Sequence, residues 1–403
     1  MPKLERTRAP MSPNTLLWLI TGCLMLQPLS TDLYLPSLPH LATYFSVTPA
    51  VVQQTLSLFV FGFGTAQLIS GPLSDRYGRR PVLFGGLLTY LFASMACGLA
   101  PSISLLVLGR FVQAVGCCTA AVVARAIIRD AYEPADGARM IAKASSLFSL
   151  APLFGPILGG YLQVAFGWRA AFVVHTFFCA LLAMAAWRWL NETNLQKNPS
   201  ATKVDSLVGG YLKIAANPAF WSYTLPGSLS YGSIFVFISG SSFVLIRVLG
   251  VATEIYGYCF AFGVLGYLSG TIVCRFLLPR IGLERSFTLG TLMSMGAGLL
   301  FLLLVKLGLH HWAVVVGCQF MTMLAHGINF PCVQAGAVAP FPQQAGAAAG
   351  LMGFFIMLAA LLAGLWVGAS HDGTLLPLAT ISAVIGVALF ASAHLLSRHR
   401  AAR

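Results

Sequence analysis

The sequence predicts an all-helical integral membrane protein whose chain crosses the bilayer twelve times, as two halves of six helices. Three observations predict it. Of 403 residues 58% are apolar and only 9% charged, against roughly 25% charged in an ordinary soluble domain. The apolar residues gather into about a dozen runs, each near the roughly 20 residues that a membrane helix needs. The longest polar stretch, 191–217, divides these runs six and six. A soluble chain of this length would need far more polar surface to cover its core, which excludes a cytosolic enzyme, a secreted disulfide scaffold and a disordered regulator.

The first run begins near Leu16 and continues towards Phe45. It is too long for a signal-peptide core and no A-x-A site ends it, so it reads as a retained first span. Further runs follow at about 50–71, 81–100, 103–125, 143–164 and 170–190, then at 219–241, 253–275, 286–306, 312–334, 346–369 and 374–396. The organisation expected is therefore an N-terminal half over 1–190, a linker over 191–217 and a C-terminal half over 218–403. Forty glycines without a collagen period suit closely packed membrane helices. The nine cysteines, all in or beside apolar runs and with no C-x-x-C pair, read as small packing residues rather than disulfides or metal ligands.

A net charge of +13 would suggest nucleic acid in a soluble protein. Here it has another origin. With the N-terminus in the cytoplasm, 20 of the 24 Lys and Arg residues fall in cytoplasmic segments or helix ends, from Lys3, Arg6 and Arg8 to Arg398, Arg400 and Arg403. The exceptions are Arg110, Arg169, Arg247 and Lys306. Such a bias obeys the positive-inside rule, puts both termini in the cytoplasm and removes the case for a nucleic-acid partner. Arg-x-Gly recurs in the loops after spans two and eight, at Arg76-Tyr77-Gly78 and Arg280-Ile281-Gly282. Paired six-helix halves are a transporter signature, with cargo bound near the midplane between them.

Four segments carry candidate chemistry. The first is Gly71-Pro72-Leu73-Ser74-Asp75-Arg76-Tyr77-Gly78-Arg79-Arg80-Pro81. Gly71 is expected to allow close helix approach, and Gly78 a tight turn. Asp75 can accept charge-assisted hydrogen bonds, with Arg125 or Arg129 at the end of span four as candidate partners; a pairing made in one conformation only would act as a latch. The second is Arg110 in Arg110-Phe111-Val112-Gln113-Ala114-Val115-Gly116. An intramembrane arginine is costly and marks function, or else snorkels to the interface. The third is Ala151-Pro152-Leu153-Phe154-Gly155-Pro156-Ile157-Leu158-Gly159-Gly160, where Ala151, Gly155 and Gly159 share a small-residue face and the prolines weaken the helix. The fourth is Asp32, the one of eleven acidic residues inside a span. A carboxyl withdrawn from water is easier to protonate, and one that loads and releases a proton is what coupled transport requires. Counting from Leu16 puts it towards the outer end, where it could equally face water. Tyr34, Gln113, Phe235 and Asn329 are candidate cavity residues. His326, Asn329 and Pro331 in span ten otherwise read as packing. There is no P-loop, G-x-S-x-G, cofactor fingerprint or metal motif, so a proton gradient rather than ATP is the energy source expected, with no cofactor and no catalytic residue. The basic tail at Arg398–Arg403 reads as a topology anchor.

The segment at Gly71–Arg80 resembles the loop 2–3 signature G-x-L-[AS]-D-R-x-G-R-[RK] of the major facilitator superfamily at every defined position. The resemblance implies that fold, and a loop that holds the outward-open state. The Arg110 segment resembles the superfamily's R-x-x-Q-G-x-G, with Ala114 in place of the first glycine, which implies a role for Arg110 in proton transfer. Gly155-Pro156…Gly159-Gly160 matches G-P-x-x-G-G, the antiporter motif of drug exporters. Thr31-Asp32-Leu33-Tyr34-Leu35-Pro36-Ser37-Leu38-Pro39 resembles the D-x-Y-L-P-[AS]-x-P signature of the Bcr/CflA drug-resistance transporters, as do stretches at Arg125–Tyr132 and Trp187–Thr193. The family implies a monomeric, proton-coupled exporter in a bacterial inner membrane, with chloramphenicol-, bicyclomycin- or sulfonamide-like amphipathic cargo. Export or proton-driven uptake of a small metabolite on the same fold is the alternative; a membrane enzyme is disfavoured by the missing catalytic constellation.

Overall fold

The computed structural model describes residues 12–400. Lys3, Arg6, Arg8 and Arg403 of the charge count lie outside the described residues. All regular structure in the described residues is helical. α1 (Pro13–Asp32) passes through a short turn, Leu35–Ser37, into α2 (Leu38–Tyr44). There follow α3 (Pro49–Tyr77), α4 (Arg79–Gly98), α5 (Ile103–Ala131), α6 (Pro134–Phe148) leading into α7 (Leu150–Phe166), and α8 (Arg169–Trp189). α9 (Val204–Ala215) precedes α10 (Pro218–Ser242), which a π turn extends over Phe243–Val248. α11 (Thr253–Lys306), α12 (Trp312–Val338), α13 (Ala345–Ser370) and α14 (Leu376–Leu395) complete the chain.

Among the described residues, eleven helical stretches are long and apolar enough to cross a membrane. One of them, the 54-residue α11, would be about 80 Å long at 1.5 Å per residue, far beyond a hydrocarbon core of about 30 Å. It breaks at Gly282, whose φ of 75° and ψ of 175° no helix contains, so 253–281 and 283–306 are separate passes and the total is twelve. Gly78, the counterpart in the first half, sits at φ 107° and ψ 157°. The repeated Arg-x-Gly is thus a repeated turn, at a backbone conformation that favours glycine.

The linker 191–217 is not wholly irregular, since it contains α9. Val204, Val208 and Leu212 are exposed there at spacings of four, while the Tyr211 hydroxyl donates to the Leu68 carbonyl at 2.8 Å and ties the helix to α3. The C-terminal tail also differs from the expectation. Arg400 is buried and donates from Nη2 to the Ser222 carbonyl at 2.7 Å, between the rings of Tyr223 and Phe287. A guanidinium with carbonyl acceptors and aromatic faces in reach is held by packing; only the charge count suggested a plain anchor.

Inside each half the helices pack closely: α3 and α4 against α5, α4 against α8, α11 against α12 and α14, and α10 against α12, α13 and α14. The approach is closest at small residues. A methyl placed on Gly270 would stand 2.0 Å from the Leu324 carbonyl oxygen. All nine cysteines are buried and free. Large apolar side chains such as Phe92, Phe177 and Leu303 point outwards and are more than half exposed, as lipid contact requires and water would penalise. The halves meet along two helix pairs, α3 with α13 and α7 with α11. At the end away from the linker they are also cross-bonded: His40 to Thr253 at 3.1 Å, Gln53 to the Ser239 carbonyl at 3.2 Å, and Arg247 to the Pro39 carbonyl at 2.7 Å.

Candidate functional site

Asp32 is the last residue of α1, where Pro28 weakens the hydrogen-bond ladder and Pro36 and Pro39 force the helix to restart. Discontinuous helices of this kind build transporter binding sites at the midplane. The 31-residue stretch Asn14–Tyr44 continues past Asp32. Twelve residues of that stretch therefore lie beyond Asp32, as a turn and the short α2. It is 4% exposed, and no other acidic residue among those described is buried. The Thr31 hydroxyl stands 2.8 Å from Oδ1. From the other half, Tyr231 and Tyr256 come within Coulomb reach of the carboxyl, and Gln27 bonds the Tyr231 side chain.

The helix break is seated on α7. Methyl groups on Gly155 and Gly159 would stand 3.3 Å from Asp32 Cβ and 2.2 Å from the Leu33 carbonyl oxygen. Gly160 faces the opposite way, where a methyl would stand 2.7 Å from the Thr253 carbonyl oxygen. Pro156 lies buried between them and its carbonyl abuts Gly257 of α11. This segment therefore joins the carboxylate-bearing break to the other half.

Arg110 is fully buried. Its Nη1 donates to Gln113 Oε1 at 2.6 Å and its Nε to the Thr55 carbonyl at 3.4 Å, while Nη2 has no partner. The guanidinium lies over Phe59 at 4.2 Å and Tyr34 at 4.9 Å. Gln113 in turn donates to Ser94 at 2.7 Å. The arginine does not snorkel, and no ion pair joins it to Asp32; the structure holds the two apart. What lies around them was missed from sequence. His175 on α8 places Nε2 3.0 Å from the Leu29 carbonyl of α1, and leaves Nδ1 buried and unpartnered. Ser30 and Tyr90 share a 2.6 Å hydroxyl contact. A lone histidine in an apolar run carries no signal of its own in one sequence.

In the loop after α3, Asp75 pairs with Arg79 at 2.6 Å, and Arg79 also reaches Asp130 at 2.7 Å. This corrects the expected partners. The Gly78 turn brings residues 75 and 79 face to face, whereas Arg125 and Arg129 are exposed on α5 and pair with neither. Gly71 is a second correction, since a methyl there would meet nothing within 4 Å. The clamp on the loop comes from the linker. Glu192 accepts from the backbone N–H groups of Arg79 at 2.8 Å and Arg80 at 3.2 Å, satisfying orphan donors at the start of α4. Asn194 and Asn198 donate to the Asp75 carbonyl at 3.1 and 3.0 Å, Arg76 bonds Thr202, and Arg80 reaches the Trp187 carbonyl at 3.2 Å.

Of the cavity candidates, none presents open surface. Tyr34 is bonded to Thr55 at 3.0 Å, Gln113 is committed to Arg110 and Ser94, Phe235 packs beside Gly364, and Asn329 bridges Ser230 and Ser294 at 3.3 Å each. Asn329 and Gln113 are buried because an amide inside a span needs its partners on neighbouring helices. Gln27, Tyr231, Tyr267 and Phe330, which are half-buried, are the side chains left open around Asp32 and His326.

Twelve passes in two halves, with one buried acid at a broken helix where the halves meet, define a multi-pass membrane transporter. Residues 20–364 match the Major Facilitator Superfamily, and the chain belongs to that superfamily; it is not an enzyme. It is 27% identical to the bicyclomycin resistance protein homolog of Haemophilus influenzae over 97% of this chain and 98% of that protein. It is 34% identical to a chloramphenicol resistance protein of Pseudomonas aeruginosa over 59% of this chain and 56% of that one. Multidrug resistance protein MdtL of Salmonella typhi is 28% identical over 84% of this chain and 86% of its own length. Among solved structures, a bacterial homolog of the lysosomal transporter Spinster shares the fold with a TM-score of 0.72 at 17% identity, covering 96% of both chains. The xylose transporter XylE of E. coli does so with a TM-score of 0.70 at 14% identity, covering 94% of this chain and 96% of that one.

Proposed function

We propose that the protein exports amphipathic small molecules of the chloramphenicol, bicyclomycin or sulfonamide kind across a bacterial inner membrane in exchange for protons, as a monomer working by alternating access. The observation that carries the coupling is Asp32, a buried acid at the helix break where both halves meet. The names of the drug-resistance relatives support the cargo class. The charge bias puts the linker end and both termini in the cytoplasm, so the cross-bonded far end is the periplasmic one.

In this reading Asp32 takes a proton while the site faces the periplasm. Neutral, it costs little to carry past the apolar contacts of α7 and α11. Facing the cytoplasm it gives the proton up, and cargo enters beside Tyr231. Arg110 is a buried charge of the opposite sign on the same half, and its role in this reading is to accompany proton transfer. Gly155, Pro156, Gly159 and Gly160 form the bearing on which α1 and α11 move. The loop residues Asp75, Arg76, Gly78, Arg79 and Arg80, with Asp130 of α5 and Glu192 of the linker bonded to Arg79, form the cytoplasmic latch.

The test is chloramphenicol accumulation in everted membrane vesicles energised with a proton gradient. Wild type accumulates drug and loses it when the gradient is collapsed; Asp32→Asn binds drug but does not accumulate it. Undiminished accumulation by Asp32→Asn would remove the coupling role.

A further inference from the structure

His326 stands halfway along α12 and is 4% exposed. The direction of its hydrogen bonds follows from the groups behind it. The Ser294 hydroxyl donates to the Gly290 carbonyl at 3.1 Å, which leaves its oxygen as an acceptor. Asn329 Nδ2 supplies one proton to that oxygen and the other to Ser230 Oγ, each at 3.3 Å, so both amide protons are spent. Ser230 gives its own proton to no backbone carbonyl; it faces His326 Nδ1 at 2.9 Å. The Ser230 carbonyl is near the ring too, but it already accepts within the α10 ladder, whereas the hydroxyl proton has only Nδ1 within reach, at 2.9 Å. Nδ1 is thus the acceptor, and the neutral ring carries its proton on Nε2.

Nε2 has no hydrogen-bond partner among the described residues. Around the ring stand Tyr231, Tyr267 and Phe330, with centroids 6.0, 5.9 and 5.3 Å away. All three are half-buried, and Tyr231 carries the wall across to Gln27 and Asp32. A flat molecule can stack in such a box. A buried N–H donor discriminates strongly against a molecule that leaves it unpaired.

We propose that His326 is a specificity-determining residue for cargo: a fixed Nε2–H donor in an aromatic box, which selects amphipathic molecules bearing an acceptor oxygen (amide, nitro or sulfonyl) beside a flat ring. The proposal rests on the export reading and names its cargo chemistry. Asn329 and Ser230 act through the histidine, as positioning residues.

Two probes in everted vesicles test it: chloramphenicol, with amide and nitro oxygens, and ethidium, a flat cation with no oxygen. His326→Phe raises the chloramphenicol KM about tenfold, equivalent to about 1.4 kcal/mol. His326→Gln, which keeps an N–H donor, recovers most of it, and ethidium transport is absent or the same in all three. An unchanged chloramphenicol KM in His326→Phe, or an equal loss for both probes, overturns the proposal. Wild type that moves no chloramphenicol overturns the export reading instead. The donor is then decided separately, by nitrogen NMR of histidine-labelled protein with His326→Gln as the assignment. A bare Nδ1 and a protonated Nε2 support the proposal, and the opposite tautomer overturns it whatever the protein carries.

Discussion

Gly159 faces the Leu33 carbonyl so closely that a methyl group would stand 2.2 Å from its oxygen, one residue beyond Asp32. The neighbour is backbone, which cannot rotate away. Overpacking of this kind costs about 1–3 kcal/mol or more, and here it pushes on the segment that carries the coupling acid. Gly159→Ala is expected to lower the melting temperature in detergent and cut drug transport at least tenfold. Gly71→Ala, with open space around it, is the matched control and should change neither.

These two glycines show what was legible in the sequence and what was not. Both sit in motifs, yet only one is a packing contact, because a motif gives residue type and order but not the facing surface. Apolar run length and charge placement gave the twelve passes, since the bilayer imposes both. The turn at Gly282 was marked by its likeness to Gly78. The partner of Asp75 was not legible: Arg79, Arg125 and Arg129 are equal candidates until the Gly78 backbone turns one of them inwards. The His326 chain was invisible for the same reason, as Ser230, Ser294 and Asn329 come from three helices. The helix break at Asp32 was not legible by counting alone; Pro36 and Pro39 end and restart the helix there.

Arg110 is held by ring faces and a single strong side-chain acceptor rather than by an acid. A planar guanidinium can lie over Phe59 and still reach Gln113; an ammonium is a compact, strongly hydrated charge and cannot do both. Arg110→Lys is expected to retain membrane insertion but lose most transport, with a lowered melting temperature. Near-normal turnover in Arg110→Lys vesicles would show that any positive charge suffices.

Glu192 gathers the N–H groups of Arg79 and Arg80 with one carboxylate and also accepts from Thr193 and Asn194. Bonds to a charged acceptor are worth about 1.5–3 kcal/mol when buried, and less at this half-buried site. Glu192→Gln keeps the shape, loses the charge at the α4 N-terminus, and is expected to cost about 1 kcal/mol. The measurement is proteolysis of the linker: Glu192→Gln should be cut several-fold faster between α8 and α9, while Asp205→Asn, on the exposed start of α9, should be cut at the wild-type rate.

Arg247 closes the end away from the linker. Its Nη2 donates to the Pro39 carbonyl at 2.7 Å and bonds the Thr43 hydroxyl, so a residue of the second half grips α2 of the first. His40 and Thr253 meet beside it. These bonds belong to the conformation in which that end is shut, and parting the halves must break them. A guanidinium at an exposed position contributes about 1 kcal/mol here, and removing it moves the equilibrium between open and shut forms by about fivefold. The change is read by spin labels on Thr48→Cys and Ile255→Cys, both exposed sites at that end. The native cysteines are all buried and stay unlabelled. In Arg247→Ala the long-distance fraction between the labels should rise several-fold, and Arg247→Lys should restore part of the short-distance population because one donor still reaches Pro39. Identical distance distributions in wild type and Arg247→Ala would mean that α7 against α11 and α3 against α13 hold that end shut unaided.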